Sequence, residues 1–122
     1  MEEENCVFCK IVRGELSSKK YYEDEDVIAI QDANPIAPVH ILVIPKKHIV
    51  SLMDLNDEKL HAKILEVIKT IANKKDLGID ALEGKTLAER GFRVTTNIGE
   101  DGGQAVKHLH FHILGGTKLP TR

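Results

Sequence analysis

"KHLHFHILGG", residues 107–116, holds half of the chain's six histidines, at His108, His110 and His112. In a strand, residues two apart share a face, so all three imidazoles line one side, roughly 7 Å from one to the next. Leu109, Phe111 and Ile113 then point the other way, into a core. A helix would pair only His108 with His112 and turn His110 away. The β-branched and aromatic residues, and the stop at Gly115-Gly116, select the strand. The stretch therefore reads as a row of titratable groups over a hydrophobic underside.

Working outward, 122 residues are expected to form one domain, residues 1–122. The hydrophobic share, 42%, suffices for a packed core, and 30% charged residues suit a water-exposed surface. Net charge is −2, and no basic run exceeds two lysines, so there is no electrostatic footprint for a long nucleic acid. No apolar run approaches the ~20 residues of a membrane span. The acidic opening MEEENC is unlike a signal peptide, so a cytoplasmic location with reduced cysteines is expected.

Along the chain, CVFCKIVRGE (6–15) suits one or two helical turns ending at Gly14. KKYYEDEDVIAIQD reads as two short strands around an acidic turn, Asp24 to Asp26. VHILVIP (39–45) is a continuous β-rich run, hence a buried strand. Between residues 56 and 75 the spacing of Leu60, Ile64, Val67, Ile68 and Ile71 predicts a long helix, with Asn56 as N-cap and Leu55 and Leu60 as a hydrophobic staple. Residues 76–91 read as an irregular connection. Residues 92–97 form a strand, 99–106 a glycine-bearing turn, and the histidine strand follows. The expected class is α+β: an antiparallel sheet with one long and one short helix.

Three histidines on one strand face admit three readings: a solvated polar face, metal ligation, or nucleophilic catalysis. In the last, an imidazole attacks phosphorus and becomes covalently modified. That chemistry needs donors for phosphate oxygens. Gly102 and Gly103 allow backbone amides to converge as an anion nest, and Gln104 adds a side-chain amide. Cys6 and Cys9, spaced C-x-x-C, are the only cysteines. They read as buried small hydrophobes or as half of a tetrahedral zinc site. A thioredoxin-like redox pair is disfavoured, since no proline lies between them and no strand precedes them. Zinc would require two more ligands, for which His48 and His108 are the candidates. His61 reads as a surface residue.

GGQAVKHLHFHILGG resembles the signature of the histidine triad family of nucleotide hydrolases and transferases, in which histidines alternate with hydrophobic residues. CVFCKIVRGE, the segment from YYEDEDVIAIQD to VIPKKHI, and the closing LGG resemble its HINT-like branch. The resemblance implies a five-stranded antiparallel sheet continued across a homodimer. It implies hydrolysis of a purine nucleoside phosphoramidate or related nucleotidyl conjugate through a nucleotidyl-histidine. His110 matches the nucleophile, His112 the histidine near the scissile bond, His108 the first of the array, and His40 the additional histidine facing the nucleophile. Gln104, the Gly103 amide and Asn97 match groups that hold phosphate or leaving group. Asp32 matches the carboxylate that accepts the ribose hydroxyls, and Val7, Phe8, Ile11 and Ile30 match the walls of the purine slot. Members with this C-x-x-C often hold one structural zinc with two cysteines and two histidines, here Cys6, Cys9, His48 and His108; no metal is needed for the chemical step.

Three departures stand out. Ala105 occupies the place of a serine that can hydrogen-bond the departing group. Ala33 replaces a larger apolar residue of the base slot. The chain ends soon after LGG, without the longer tail of some relatives. The first of these keeps open a nucleotide-binding interaction protein with vestigial activity, and a zinc module whose triad serves only ligation is a third reading.

Overall fold

The computed structural model describes residues 5–121. In it the apolar run broken only by His40 becomes a strand, β3 (Val39–Pro45), buried along its whole length. Hairpin-linked β1 (Lys20–Glu23) and β2 (Val27–Gln31) lie on one side of it. On the other side are β5 (Phe111–Gly115) and then β4 (Arg93–Thr95). The order is β1-β2-β3-β5-β4, antiparallel throughout. The β1–β2 turn is closed by Asp24, whose Oδ1 accepts from the backbone N–H of Asp26 and Val27, both at 2.8 Å.

A central strand buried on both faces needs cover on both. Helix α2 (Glu58–Ala72) covers one face, packing Leu60, Ile64, Val67, Ile68 and Ile71 on Val27, Ala29, Val39, Ile41, Val43 and Ile113. A helix of this length is marginal alone; burial at about 1.5–3 kcal/mol per large apolar side chain holds it down. The short helix α1 (Val7–Val12) covers part of the opposite face, where Phe8 packs with Ile28, Ile30, Leu42 and Ile44. The remainder of that face stays open and carries the histidines.

Five expectations are corrected. The histidine stretch is a strand only from Phe111 onward: His108 and His110 precede β5, His108 in a bend and His110 in an irregular stretch. The ladder is broken there because the Thr96 hydroxyl, not a backbone amide, donates to the His110 carbonyl at 2.7 Å. The side-chain alternation survives: Leu109 and Ile113 are buried under α2 with Phe111 against them. For the same reason the strand expected over 92–97 shrinks to Arg93–Thr95.

The N-cap of α2 is Asp57, not Asn56, because its carboxylate accepts from the N–H groups of Lys59 and Leu60. That shift moves the staple positions off Leu55 and Leu60; instead the His61 ring meets the Leu55 carbonyl at 3.0 Å. Residues 76–91 are not irregular throughout. They hold a 3-10 turn, Asp80–Leu82, and a second short helix, α3 (Leu87–Arg90), opened by a reciprocal capping box between Thr86 and Glu89.

Candidate active site and metal centre

The register of β3 against β5 builds the site. Leu42 pairs with His112 and His40 with Leu114, which leaves His40 diagonal to His112 on one face. Their rings meet, His40 Nε2 to His112 Nδ1, at 2.9 Å. The rings of His110 and His112 lie 5.0 Å apart, and Phe8 from α1 stands edge-on to His110, also at 5.0 Å. An open cleft of about 640 Å³ runs from these rings to the apolar wall of α1 and β2.

Hydrogen-bond partners fix the tautomers, because a backbone carbonyl only accepts and a backbone amide only donates. His110 Nδ1 lies 2.7 Å from the His108 carbonyl, so Nδ1 carries the proton and Nε2 keeps its lone pair. His108 Nε2 lies 2.8 Å from the Pro45 carbonyl, so its lone pair is on Nδ1. The Ile36 amide donates to His40 Nδ1 at 3.1 Å, so the His40 proton is on Nε2 and is given to His112 Nδ1. The His112 proton is thereby placed on Nε2, which is buried and has no partner among the described residues. An unspent buried donor of this kind costs about 1–3 kcal/mol until something accepts from it.

Burial holds the His40 and His112 pKa values below the ordinary histidine value. The other histidines add to this at His112, and the Asp32 carboxylate opposes it at both. A third proton on the pair has no good place: it would set two donors against each other, at the ring–ring contact or at the Ile36 amide. The pair is thus a neutral chain ending in one unspent donor, the buried His112 Nε2–H.

A second cluster lies behind the cleft. His108, 0% exposed, faces Cys6 Sγ at 3.2 Å and Cys9 Sγ at 3.5 Å through Nδ1, and His48 Nδ1 lies 3.3 Å from Cys9 Sγ. Burial pushes the His108 imidazole down to about 4. The four ligand atoms lie within 4.8 Å of one another and can hold a metal ion. The Leu109 amide bonded to the Ile49 carbonyl at 2.6 Å brings the two histidines together, and Cys6 is the N-cap of α1. Asp32, His40 and His112 also converge within 4.8 Å, but the outer groups separate the two clusters. A metal-bound histidine normally donates its remote N–H to an acceptor. His108 does so to Pro45, whereas His40 receives the Ile36 amide and has its proton on the very nitrogen a metal would need.

Most of the sequence candidates meet in one place. Val7, Phe8, Ile11, Ile30, Asp32, Asn97, Gly103, His110 and His112 all line the cleft, as do Ala33 and Ala105. His40 supports His112 from behind. Two candidates are differently engaged. Gln104 is buried outside the cleft lining, its amide donating to the carbonyls of Val50 and Val106 and accepting from the Gly99 amide. The Gly103 amide is bonded within the turn to the Glu100 carbonyl at 3.0 Å. That turn requires glycine at 102, where a Cβ would strike the Ile98 backbone, and its positive φ favours glycine at 103.

Sequence reasoning missed the Ile36 amide and the Pro45 carbonyl, which set two tautomers. Backbone groups leave no trace in residue identity. It also missed Leu42 and Val106 in the cleft wall.

Residues 13–119 match the model of the HIT domain family. An uncharacterised HIT-like protein of Azospirillum brasilense is 39% identical over 94% of this chain and 88% of its own length. Among solved structures, a histidine triad protein from Clostridium difficile is 48% identical with a TM-score of 0.82, over 100% of this chain and 99% of that one. A HIT family hydrolase from Clostridium thermocellum is 51% identical with a TM-score of 0.80, over 98% and 97%.

Proposed function

The chain belongs to the HIT domain family, and from that premise we propose that it hydrolyses a purine nucleoside phosphoramidate or related nucleotidyl conjugate. The observation that carries the reading is the His110 tautomer. Its Nδ1–H is held on the His108 carbonyl at 2.7 Å, which leaves Nε2 a free nucleophile on a residue that lines the cleft.

In the proposed reaction His110 Nε2 attacks the α-phosphorus and the P–N bond breaks. The amine leaves with a proton supplied by solvent, and water then attacks phosphorus, gives a proton back to solvent and displaces the histidine to release the nucleoside monophosphate. The His108 carbonyl stabilises the positive charge that develops on the attacking ring. The His112 Nε2–H donates to a phosphoryl oxygen or to the leaving group; a donor fixed in place before reaction costs no reorganisation. Asp32 accepts the ribose hydroxyls, and the base lies between Val7, Phe8, Ile11 and Ile30.

The metal at Cys6, Cys9, His48 and His108 is proposed to be zinc, one per chain. The sulfur–nitrogen separations of 3.2–3.5 Å suit it, since a tetrahedron of roughly 2.3 Å Zn–S and 2.0–2.1 Å Zn–N bonds has edges near those values. Four protein ligands leave no open position, so the ion is structural and takes no part in the chemistry.

A homodimer is proposed through β4 and α2. β4 is a sheet edge on which Val94 is 41% exposed, and Leu65 of α2 is 60% exposed. No helix among the described residues is long and apolar enough to cross a membrane, and a cytoplasmic location is part of the proposal.

The decisive test is turnover of adenosine 5′-phosphoramidate with intact-mass detection of the nucleotidyl-enzyme. His110→Ala should lose several orders of magnitude in turnover while binding nucleotide within about tenfold. Near-normal turnover by that variant would remove the covalent mechanism. An adduct formed once without turnover would instead favour a nucleotide-binding partner with vestigial activity, the reading that Ala105 supports.

A further inference from the structure

The two oxygens of Asp32 are not equivalent. Oδ1 accepts the Asn34 amide at 2.7 Å. Oδ2 lies 3.3 Å from His40 Nε2. That nitrogen carries the only proton of the His40 ring, because Nδ1 is taken by the Ile36 amide. The same proton lies between His40 and His112 Nδ1, 2.9 Å away. One hydrogen therefore faces two acceptors, the nearer a neutral imidazole and the farther a carboxylate. Asp32 also lines the cleft, with about a fifth of its side chain exposed, so its carboxylate is open to a ligand.

We propose that Asp32 is a positioning residue for the chemical step: ribose hydroxyls bound to its carboxylate draw Oδ2 away from His40, and the His40 proton then commits to His112. This rests on reading the cleft as a ribonucleotide site. A carboxylate has about four lone-pair sites. In the free protein the Asn34 amide and the His40 proton draw on two of them. Two hydroxyls arriving in the same plane compete directly with the more distant of these, the 3.3 Å contact.

Hydrogen bonds in a chain polarise one another. A stronger bond into His112 Nδ1 withdraws electron density from that ring and makes its Nε2–H a better donor, and Nε2 is the buried atom without a partner. The sugar is thus sensed at the reacting phosphorus through two imidazoles. A carboxylate that only anchored ribose would have no need to contact His40. The consequence is that the 2′,3′-diol acts on kcat as well as on KM, so the site selects ribonucleotides in the chemical step.

Two measurements test this. The first is steady-state kinetics with adenosine 5′-phosphoramidate and its 2′,3′-dideoxy analogue. Wild type should lose about two- to thirteenfold in kcat on the dideoxy substrate, the net worth of one hydrogen bond, on top of any rise in KM. Asp32→Ala removes the competing acceptor, so its kcat on the dideoxy substrate should exceed that of wild type on the same substrate. A dideoxy loss confined to KM, with no gain in kcat for the variant, overturns the proposal.

The second is ¹⁵N NMR of the histidines in wild-type protein titrated with adenosine and with 2′,3′-dideoxyadenosine. It needs neither turnover nor a variant. Adenosine should shift the His112 ring nitrogens and dideoxyadenosine should not. Equal shifts from both overturn the coupling and leave the nucleotide-site reading intact. Failure of both nucleosides to bind, with neither reaching saturation, overturns the nucleotide-site reading as well.

Discussion

Ile36→Pro deletes the amide hydrogen at residue 36. The Ile36 side chain is 77% exposed, in a loop that already holds Pro35 and Pro38. Its amide is the donor that keeps His40 Nδ1 unprotonated, at 3.1 Å. Without it, the His40 proton can move to Nδ1, and Nε2 then presents a lone pair to the lone pair of His112 Nδ1. His112 must move its proton to Nδ1 to answer, which empties the donor at Nε2. One such bond is worth a net 0.5–1.5 kcal/mol or so, about a two- to thirteenfold change in tautomer ratio. The expected fall in kcat is within that range, with KM little changed because no cleft wall is altered.

Ile36→Ala is the control. It keeps the amide and removes an exposed side chain, so stability should move by no more than about 0.5 kcal/mol and turnover not at all. The assay is phosphoramidate turnover beside ¹⁵N histidine NMR and a thermal melt of each variant. Equal turnover by the two variants, with His40 still protonated at Nε2 in the proline form, would refute the assignment of tautomer control to the backbone.

Three further outcomes are expected. Cys9→Ser should abolish zinc binding by elemental analysis and lower Tm, while activity falls only in part because the metal lies behind His108 and away from the phosphorus; full retention of zinc would refute the four-ligand site. The His40 and His112 pKa values are held below the unfolded 6.5 or so. The unfolded chain therefore binds protons first on acidification: the stability these two groups contribute is complete above about 6.5 and is lost as pH falls from there through the folded values. The neutral pair persists below 6.5 in the folded state, so the ¹⁵N titration midpoints of these two rings should lie below that pH; midpoints at or above it contradict the pair's neutrality. Ala105→Ser restores a hydroxyl to the cleft wall and should raise turnover most for the most basic leaving amines; an equal change across amines would show that residue 105 does not touch the leaving group.

Much of this protein was legible in one dimension. Period-two histidines against Leu109, Phe111 and Ile113, the apolar run of 39–45 broken only by His40 and the period of Leu60, Ile64, Val67, Ile68 and Ile71 each state a burial pattern, and burial dominates the energy. The histidine signature pointed to the family, and C-x-x-C with two candidate histidines to a metal cluster. Where the reading failed, one local interaction had won. A carboxylate at Asp57 outcompeted Asn56 for the helix cap, the T-x-x-E box at Thr86 made a helix of an apparent loop, and the Thr96 hydroxyl ended the ladder before His110.

What only the tertiary structure decided is which atom of each histidine carries its proton. The three triad residues are the same side chain at one spacing, yet His108 faces sulfur through Nδ1, His110 frees Nε2 and His112 holds its proton on a buried Nε2 that nothing among the described residues accepts. Those differences come from the Pro45 and His108 carbonyls and the Ile36 amide. Every residue but proline carries the same amide and every residue the same carbonyl, so only the folded path of the chain determines which imidazole each one meets.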